Sequence, residues 1–466
     1  MKFAFPGSRA SRPHGLAGVM PAAPETPRGE LLRILGTSFG IAVAVGAMIG
    51  VGILRAPSLI ARDVPGIWLI LGLWLIALVH AALEANVIAE LGTAMPRAGG
   101  PYVYVHRAFG DVGGLVVGWT MWMQRAASTA ALSIAFADFL AILWPPVRLA
   151  TPAVAVVMQL AMFGLNIAGL REGRAIQQIT SLLKALALLG FCIVAFLIVS
   201  PVSAASGAQV SQLFGWAGLI AAYQLIVGAY SGWYEPVFFS EECEDGGRSL
   251  PRVMAIGLLL TAALYIGING ALLHALGIAG VAHNALPFTT VLAKIGGGIA
   301  GAAVAVFAMV SVASCANAGV MSAPRVLLAL SRDRLLPAIF QNVNRGGSPS
   351  VATVMTATAA IAIALTGSFN LAFGLIATLQ SAAFILVILA FFVLRRREPG
   401  LARPFLAVGY PWLPALVLAI DAGLLALFLN ANWTGGLYAA ILWLLCIPFA
   451  LVARRAQRIA PTGTGS

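Results

Sequence analysis

Two pairs of glycines interrupt apolar stretches of the sequence where a regular helix would otherwise be expected. The first pair is Gly50 and Gly52, and the second is Gly228 and Gly232, which Pro236 follows. Glycine in a helix interior costs about 1 kcal/mol relative to alanine, so each pair predicts a break in a helix. A break exposes backbone N–H groups, which attract anions, and backbone C=O groups, which attract cations. The two positions are therefore candidates for a binding site made largely of backbone.

The composition indicates a protein that lies in a membrane. The chain of 466 residues is 60% hydrophobic and only 9% charged, whereas soluble proteins carry about 25% charged residues. The formal net charge of +12 comes from basic residues spread over many short segments, which does not favour nucleic-acid binding. The four cysteines lie far apart and show no metal-ligand or disulfide spacing. No cofactor and no metal site are expected.

Twelve membrane spans are predicted, because a helix needs about 20 mostly apolar residues to cross a bilayer. The predicted spans are 34–60, 66–92, 112–143, 151–170, 176–200, 213–240, 252–278, 298–330, 350–367, 370–394, 408–430 and 434–453. We expect cytoplasmic tails at 1–33, which lacks the apolar region of a signal peptide, and at 454–466. Inner segments then hold 22 Lys and Arg residues and outer segments hold 4. This distribution follows the positive-inside rule and predicts an integral protein of the plasma (inner) membrane.

The two predicted breaks lie in spans one and six, five spans apart. That spacing predicts an inverted repeat with a first half at 34–200 (spans one to five) and a second half at 213–394 (spans six to ten). Spans eleven and twelve, 408–453, follow as additional helices. The alternative is that the glycines only permit close packing between helices, since small residues are common at such interfaces. Breaks at matching positions of both halves favour the repeat.

Four motifs, in order along nearly the whole chain, resemble those of the amino acid–polyamine–organocation transporters. They are Ile49–Ile53 in span one, Glu90–Tyr104 after span two, Tyr230–Pro236 in span six and Ala323–Pro337 after span eight. The second and fourth are long and specific, whereas a lone Gly-x-Gly is a weak signal. Within this superfamily the chain is most similar to the L-type amino acid transporter branch and its bacterial relatives.

The resemblance implies an all-α, LeuT-type fold of twelve transmembrane helices and secondary active transport of amino acids by alternating access, without enzymatic activity. An α-amino acid brings a carboxylate and an ammonium into a low-dielectric site, and both charges need partners. By motif match, the carboxylate is expected to accept hydrogen bonds from the backbone N–H groups of Gly50, Val51 and Gly52. The amino group is expected to donate to the backbone carbonyls of Met48, Gly228 and Ser231.

Two departures from the family pattern bear on how the substrate is enclosed. The family often has serine where this chain has Val51, so only the backbone amide remains there as a donor. Many relatives carry phenylalanine or tryptophan at the position of Gly228, where the ring closes over the substrate. In this chain the aromatic gate is either absent or supplied by Tyr230, Trp233 or Tyr223, which would leave room for a larger or aromatic substrate.

Lys184 is an ionisable residue inside predicted span five. In the family, a lysine at the matching position takes the place of a sodium ion between spans one and eight. Its ammonium is then expected to bond to a carbonyl near Gly46 and to Ser311 or Ser314, and transport is expected to be independent of sodium. The alternative is a lysine that extends its amine to the cytoplasmic interface.

Further ionisable residues lie within the spans, where charged groups usually face a cavity or a partner. Arg125 is expected to pair with a carboxylate or with carbonyls rather than to touch the substrate. His80 and Glu84 share a helix face and either relay a proton or, as we favour, satisfy each other. Glu235, at the second break, is a candidate for coupling or gating. No role is predicted for Asp421.

Neutral amino acids are favoured as substrates, moved by exchange or together with protons, and the oligomeric state stays open. The alternative is a cationic amino-acid or polyamine carrier. Such a carrier needs extra buried carboxylates near the side-chain pocket, and spans three, eight and ten contain few of them. An intramembrane enzyme would need paired aspartates or a His-Glu zinc motif within the spans, and the sequence contains neither.

Overall fold

The computed structural model describes residues 31, 33–168, 170–201, 215–284, 286–366 and 369–431, together with 437, 440, 444 and 448. These residues form thirteen α-helices joined by turns and short 3-10 segments, and no β-strand occurs among them. The helices are α1 Thr37–Met48, α2 Val51–Asp63, α3 Ile67–Ala94, α4 Pro101–Leu143, α5 Thr151–Ala168, α6 Leu170–Leu197, α7 Trp216–Tyr230, α8 Leu250–His283, α9 Pro287–Gly296, α10 Ala300–Arg332, α11 Ser350–Ala364, α12 Phe369–Arg397 and α13 Trp412–Ala431.

The chain is an all-α polytopic membrane protein. Within the described ranges, nine helical stretches are long and apolar enough to cross a membrane. The helices follow the predicted spans from span one to span eleven, with α1 and α2 together forming span one. Predicted span 434–453 and both predicted tails lie almost entirely outside the described residues. The arrangement of twelve helices as a 5+5 repeat therefore stays a prediction.

Three features of the helices differ from the predicted spans. Helix α4 begins at Pro101, before the predicted start of span three, and Gly110 (φ 73°) separates its first turns from the rest. Gly277 (φ 67°) divides α8 in the same way. Both values fall in the left-handed region that glycine adopts without a steric penalty. Helix α9 lies in a segment for which no helix is predicted, since its 10 residues are too few to cross a bilayer.

The broken helix pair α1–α2 lies inside the bundle together with α4 and α10. The share of buried residues in the most apolar window is 67% for α4 and 61% for both α10 and the α1–α2 pair, but only 22% for α13. A helix at the edge of the bundle keeps apolar side chains outward because the bilayer core is itself apolar. The backbone groups freed by the break are thus held within protein, which is where irregular backbone is tolerated at membrane depth.

Candidate functional site

Each predicted glycine pair lies at a break, with Gly50 and Gly232 within the breaks and Gly52 and Gly228 in the adjoining helices α2 and α7. The first break comprises Ile49 (φ −74°, ψ 86°) and Gly50 (φ −129°, ψ −149°), which separate α1 from α2. The second break, residues 231–234, separates α7 from a 3-10 segment at Glu235–Glu242. Span six therefore consists of an α-helical half and a more tightly wound half.

The two breaks pack against each other, and glycine makes this contact possible. A methyl group on Gly232 would lie 2.8 Å from Cβ of Ala47 and 3.0 Å from the backbone N of Met48. A methyl group on Gly52 would lie 3.2 Å from Cα of Ala229. Gly232 also has φ +121°, a conformation that L-residues with a Cβ rarely adopt. The approach of the two breaks therefore requires positions without side chains.

Lys184 of α6 reaches the first break from the side. Its side chain is 0% exposed, and Nζ donates to the carbonyl oxygens of Gly46 at 2.5 Å and Ile49 at 2.7 Å. Oγ of Ser311 in α10 donates to the same Ile49 oxygen at 2.9 Å, so lysine and serine share an acceptor instead of bonding to each other. Ser314 receives a hydrogen bond from a threonine of α6 at 2.8 Å. The ammonium thus lies inside the bundle and not at an interface.

The two carbonyl groups between Gly46 and Ile49 also have side-chain donors. Sγ of Cys315 in α10 donates to the oxygen of Ala47 at 2.9 Å, and the hydroxyl of Tyr265 in α8 donates to the oxygen of Met48 at 2.7 Å. The last carbonyl groups of a helix have no N–H donor within the helix, and here side chains of three other helices donate to them. The Met48 carbonyl, expected to bind the substrate amino group, retains a second lone pair.

The start of α2 carries free backbone donors. Gly50 is the residue before the helix, Val51 and Gly52 are its first residues, and no side chain caps this end. The first N–H groups of a helix have no intrahelical acceptor and lie at the positive end of the helix dipole. This end of α2 is therefore suited to hold a carboxylate group.

A small cavity lies where the two breaks meet. Its volume is about 80 Å³. Most of the lining residues are small or apolar, and none of those that the structure describes carries a charged side chain. The lining comprises Ala47, Met48, Gly50, Val51, Gly52, Ser128, Ala131, Leu132, Gly228, Ala229, Ser231, Cys315 and Ile376. All six residues predicted to hold the amino-acid head group are among them.

The three aromatic residues considered for the gate lie away from this lining. Tyr230 packs against Trp74 and Tyr265, with ring centroids 5.7 and 5.4 Å apart. Trp233 stacks on Phe384 at 5.9 Å. Tyr223 is placed seven residues before Tyr230 on α7, where its hydroxyl contacts a histidine instead. The rings of Tyr230 and Trp233 are buried, and none of the three residues is among those that line the cavity.

Arg125 of α4 forms a buried ion pair with Glu235, the first residue of the 3-10 segment. The guanidinium group also lies over the rings of Phe238 at 4.2 Å and Tyr234 at 5.2 Å. Arg125 thus contacts a carboxylate, as expected, and links α4 to the second break. The same contact engages Glu235, the residue expected to act in coupling or gating.

An amide cluster next to the second break was missed at the sequence level. Oε1 of Gln380 in α12 accepts from Oγ of Ser231 at 2.5 Å and from Nε2 of Gln124 in α4 at 2.9 Å. The hydroxyl of Tyr234 lies 3.3 Å from the same oxygen. Glutamine within an apolar span indicates a buried polar contact, so Gln124 and Gln380 could have been singled out. Their pairing could not, because they are more than 250 positions apart in α4 and α12. The cluster fixes the second break against these two helices.

The histidine of α3 pairs differently from the prediction. His80 Nε2 lies 3.1 Å from Oδ1 of Asp421 in α13, whereas its predicted partner Glu84 is a neighbour without a hydrogen bond to it among the described contacts. The other ring nitrogen, Nδ1, lies 3.3 Å from the hydroxyl of Tyr223. A residue without a predicted role, Asp421, therefore completes this cluster.

Comparison of the sequence with known proteins identifies its family. The family model described as "Amino acid permease" matches residues 35–453, which includes both breaks and all the residues named above. The chain belongs to this amino acid permease family of the amino acid–polyamine–organocation superfamily. The permease is accordingly a membrane transporter and not an enzyme.

Individual relatives are permeases and exchangers of amino acids. The permease is 28% identical over 415 residues to the serine/threonine exchanger SteT of Bacillus subtilis, covering 84% of this chain and 90% of the relative. It is 25% identical over 437 residues to the branched-chain amino acid permease BcaP of the same organism, covering 89% and 91%. It is also 25% identical over 394 residues to the vacuolar cationic amino acid transporter 2 of Arabidopsis thaliana, covering 79% and 61%. These similarities support amino-acid transport.

Proposed function

We propose that the permease is a secondary active transporter of small neutral α-amino acids that works by alternating access. The cavity between the two breaks carries this proposal, because the residues expected to offer backbone N–H groups and carbonyl oxygens to the head group all line one small space. Backbone recognition of the common head group leaves the side chain to be selected by the shape of the remaining wall.

The head group of the substrate would be held by opposite ends of backbone dipoles. Its carboxylate would accept from the N–H groups of Gly50, Val51 and Gly52 at the start of α2. Its ammonium would donate to carbonyl oxygens of Met48, Gly228 and Ser231. Each substrate charge then meets partial charges of the opposite sign, which offsets the cost of taking it out of water.

The cavity volume favours a small side chain. At about 80 Å³, the space is about half that of an engineered cavity of about 150 Å³ that holds benzene. Glycine or alanine occupies six of the lining positions. The sequence-based expectation of room for a larger or aromatic substrate does not fit this volume.

The lining also favours a neutral side chain. No carboxylate lines the cavity in the described part of the chain, and Glu235 is already paired with Arg125. A cationic amino acid or a polyamine would bring an additional charge into a low-dielectric space without a partner. We therefore place a cationic carrier second, although one of the relatives is named as a cationic amino acid transporter.

Sodium independence is proposed from the position of Lys184. Its ammonium bonds to the Gly46 and Ile49 carbonyl oxygens that the first break exposes. A second cation at the same oxygens would be repelled strongly in a low-dielectric interior. Exchange and proton coupling are both compatible with this arrangement.

We further propose that the permease lies in the plasma (inner) membrane with both termini in the cytoplasm. The excess of Lys and Arg in the segments assigned to the inner side supports this orientation. The breaks in spans one and six support an inverted 5+5 repeat followed by two helices.

Counterflow in proteoliposomes tests the proposed function. Vesicles loaded with one unlabelled neutral amino acid are diluted into the labelled form, and a panel of other amino acids competes from outside. We expect alanine, serine and threonine to compete strongly and tryptophan, lysine and putrescine to compete weakly, with equal rates in sodium and potassium buffers. Competition by none of the amino acids would overturn the proposal, and strong competition by lysine would favour the cationic alternative.

Gly228→Ala is expected to shift selectivity towards smaller side chains. A methyl group on Gly228 meets no atom within 4 Å, and the residue lines the cavity, so the added group occupies substrate space without disturbing the fold. One methyl group in an apolar pocket changes discrimination by about tenfold to a hundredfold. The measurement is the ratio of threonine to alanine competition in counterflow, with Gly423→Ala, which also meets open space, as the matched control. An unchanged ratio would place the substrate elsewhere.

Alkylation of Cys315 is expected to block counterflow, and substrate is expected to slow the alkylation. The thiol lines the cavity and donates to the Ala47 carbonyl, so an N-ethylmaleimide adduct fills the binding space. The measurement uses a variant that retains Cys315 as its only cysteine, with a variant retaining only Cys192, a buried residue of α6 outside the lining, as control. Equal inactivation with and without saturating substrate would contradict the proposed site.

A further inference from the structure

A buried group of three titratable side chains joins α3 to α13 at a distance from the substrate cavity. His80, Glu84 and Asp421 are 5%, 7% and 3% exposed. One imidazole nitrogen of His80 and one carboxylate oxygen each of Glu84 and Asp421 all lie within 4.8 Å of one another. All three residues lie near the middle of their helices, Ile67–Ala94 and Trp412–Ala431, so the cluster lies at mid-membrane depth.

The cluster has an unused acceptor. Oδ1 of Asp421 contacts Nε2 of His80 at 3.1 Å, but the buried Oδ2 of Asp421 has no hydrogen-bond partner in the described structure. A buried carboxylate oxygen without a donor costs substantial free energy. The second carboxylate, Glu84, lies close by and has no basic partner of its own other than the shared imidazole. The position of Oδ2 therefore points to a proton that this group can accept.

Few other charged groups act on this cluster. Helices α4, α7, α8 and α12 also pack against α3, and α12 packs against α13. From the described parts of these helices, Tyr223 of α7 is the titratable side chain in hydrogen-bond contact with the cluster, at 3.3 Å from His80 Nδ1. No lysine or arginine forms an ion pair with Glu84 or Asp421 among the described residues, and the ion pair of the cluster is the one between His80 and Asp421.

Charge balance then defines two states that differ by one proton. With a neutral imidazole and one proton shared by the two carboxylates, the cluster carries a charge of about −1 in a low-dielectric interior. Binding one more proton makes it neutral, which burial favours. The proton is taken onto Oδ2 of Asp421 or onto Glu84, or onto Nδ1 of His80 with rotation of the Tyr223 hydroxyl from donor to acceptor. Release of the proton requires water, so it depends on the side of the membrane from which water has access to the cluster.

We propose that His80, Glu84 and Asp421 form a proton-binding site whose occupancy is coupled to amino-acid transport through Tyr223 and α7. The proposal rests on the proposed function of amino-acid transport and makes the permease a proton symporter. Helix α7 connects the two sites directly, because Gly228 and Ala229, five and six residues after Tyr223, line the substrate cavity. A change at the Tyr223 hydroxyl is thus transmitted over about 8 Å along one rigid helix.

The test separates proton coupling from transport itself. Proteoliposomes receive an inward-directed proton gradient, and both accumulation of the labelled amino acid and the fluorescence of entrapped pyranine are followed. We expect the wild type to accumulate substrate and acidify the lumen on substrate addition. We expect Asp421→Asn and Glu84→Gln to lose both signals while counterflow, which needs no net proton movement, continues. Asp138→Asn, which alters a partly exposed carboxylate near Arg55 on other helices, is the matched control and should behave as the wild type.

Three outcomes would overturn the proton site. One is substrate accumulation by Asp421→Asn and Glu84→Gln at the wild-type level. The second is loss of both counterflow and substrate accumulation in Asp421→Asn, Glu84→Gln and Tyr223→Phe when all three variants are folded. That result would assign the cluster a structural role. The third is a wild type that performs counterflow but never accumulates substrate on a proton gradient, which makes the permease an exchanger. Absence of counterflow in the wild type would instead refute the proposed function.

Discussion

Amino-acid uptake is expected to fall to background when Lys184 is replaced by alanine. The lysine amine is the donor to the Gly46 carbonyl and one of two donors to the Ile49 carbonyl, beside Ser311. Removal leaves the Gly46 oxygen buried without a donor, which costs about 1–3 kcal/mol, and removes the positive charge next to the first break. The carbonyls at the end of α1 then lose the geometry that shapes the substrate cavity.

The Lys184 prediction is measured as uptake into proteoliposomes, alongside the amount of monodisperse protein extracted from membranes. Lys184→Met keeps most of the side-chain volume without the charge, and it should be as inactive as the alanine variant. Lys294→Ala is the matched control, because Lys294 also donates to a backbone carbonyl, that of Ala275 at 2.7 Å, but in α9, away from the break. Near-normal uptake in both Lys184 variants would refute the role of the ammonium.

Gly232→Ala is expected to abolish counterflow for all substrates. The new Cβ would lie 2.8 Å from Cβ of Ala47 and 2.9 Å from its carbonyl carbon, and backbone atoms cannot move aside as a flexible side chain can. The residue also has φ +121°, which is strained for alanine. The second break must therefore retreat from the first, and the carbonyl and N–H groups around the cavity separate.

A matched variant distinguishes the steric clash from backbone strain. Gly246 also has a positive φ, 64°, but a methyl group there meets no atom within 4 Å. Gly246→Ala should therefore cost about 1–2 kcal/mol of conformational strain and leave counterflow close to that of the wild type. Thermal stability of the purified variants would be measured together with counterflow. Equal activity of Gly232→Ala and the wild type would show that contact between the breaks is not required.

Much of this architecture follows from local sequence. Long apolar segments specify spanning helices because no other single-chain element satisfies its backbone in lipid. The breaks lie at the predicted glycine pairs, but only Gly50 and Gly232 fall within them, whereas Gly52 and Gly228 lie in α2 and α7. The family resemblance assigns Lys184 to the first break, because a lysine at the matching position there takes the place of a sodium ion, and the structure gives its ammonium two carbonyl acceptors.

The remaining contacts depend on how distant helices pack. His80 and Asp421 are 341 residues apart, and neither residue indicates its partner through local spacing. Helical spacing pairs His80 with Glu84, four residues away, whereas in the structure His80 is hydrogen-bonded to the carboxylate of Asp421. Side-chain directions after Ser231 follow from the positive φ of Gly232, which the sequence does not specify numerically.

The hydrogen bonds at the end of α1 limit the conformations that the permease can adopt. The four carbonyl oxygens from Gly46 to Ile49 accept hydrogen bonds from side chains of α6, α8 and α10, so a rotation of α1 against any of these helices must exchange several partners together. A conformation in which α1 has rotated only part of the way would leave buried carbonyl oxygens without donors. Each such oxygen would raise the free energy of that conformation by about 1–3 kcal/mol. In the proposed alternating-access cycle we therefore expect such intermediates to be sparsely populated. We expect these hydrogen bonds, besides shaping the cavity, to limit the leakage of ions during the cycle.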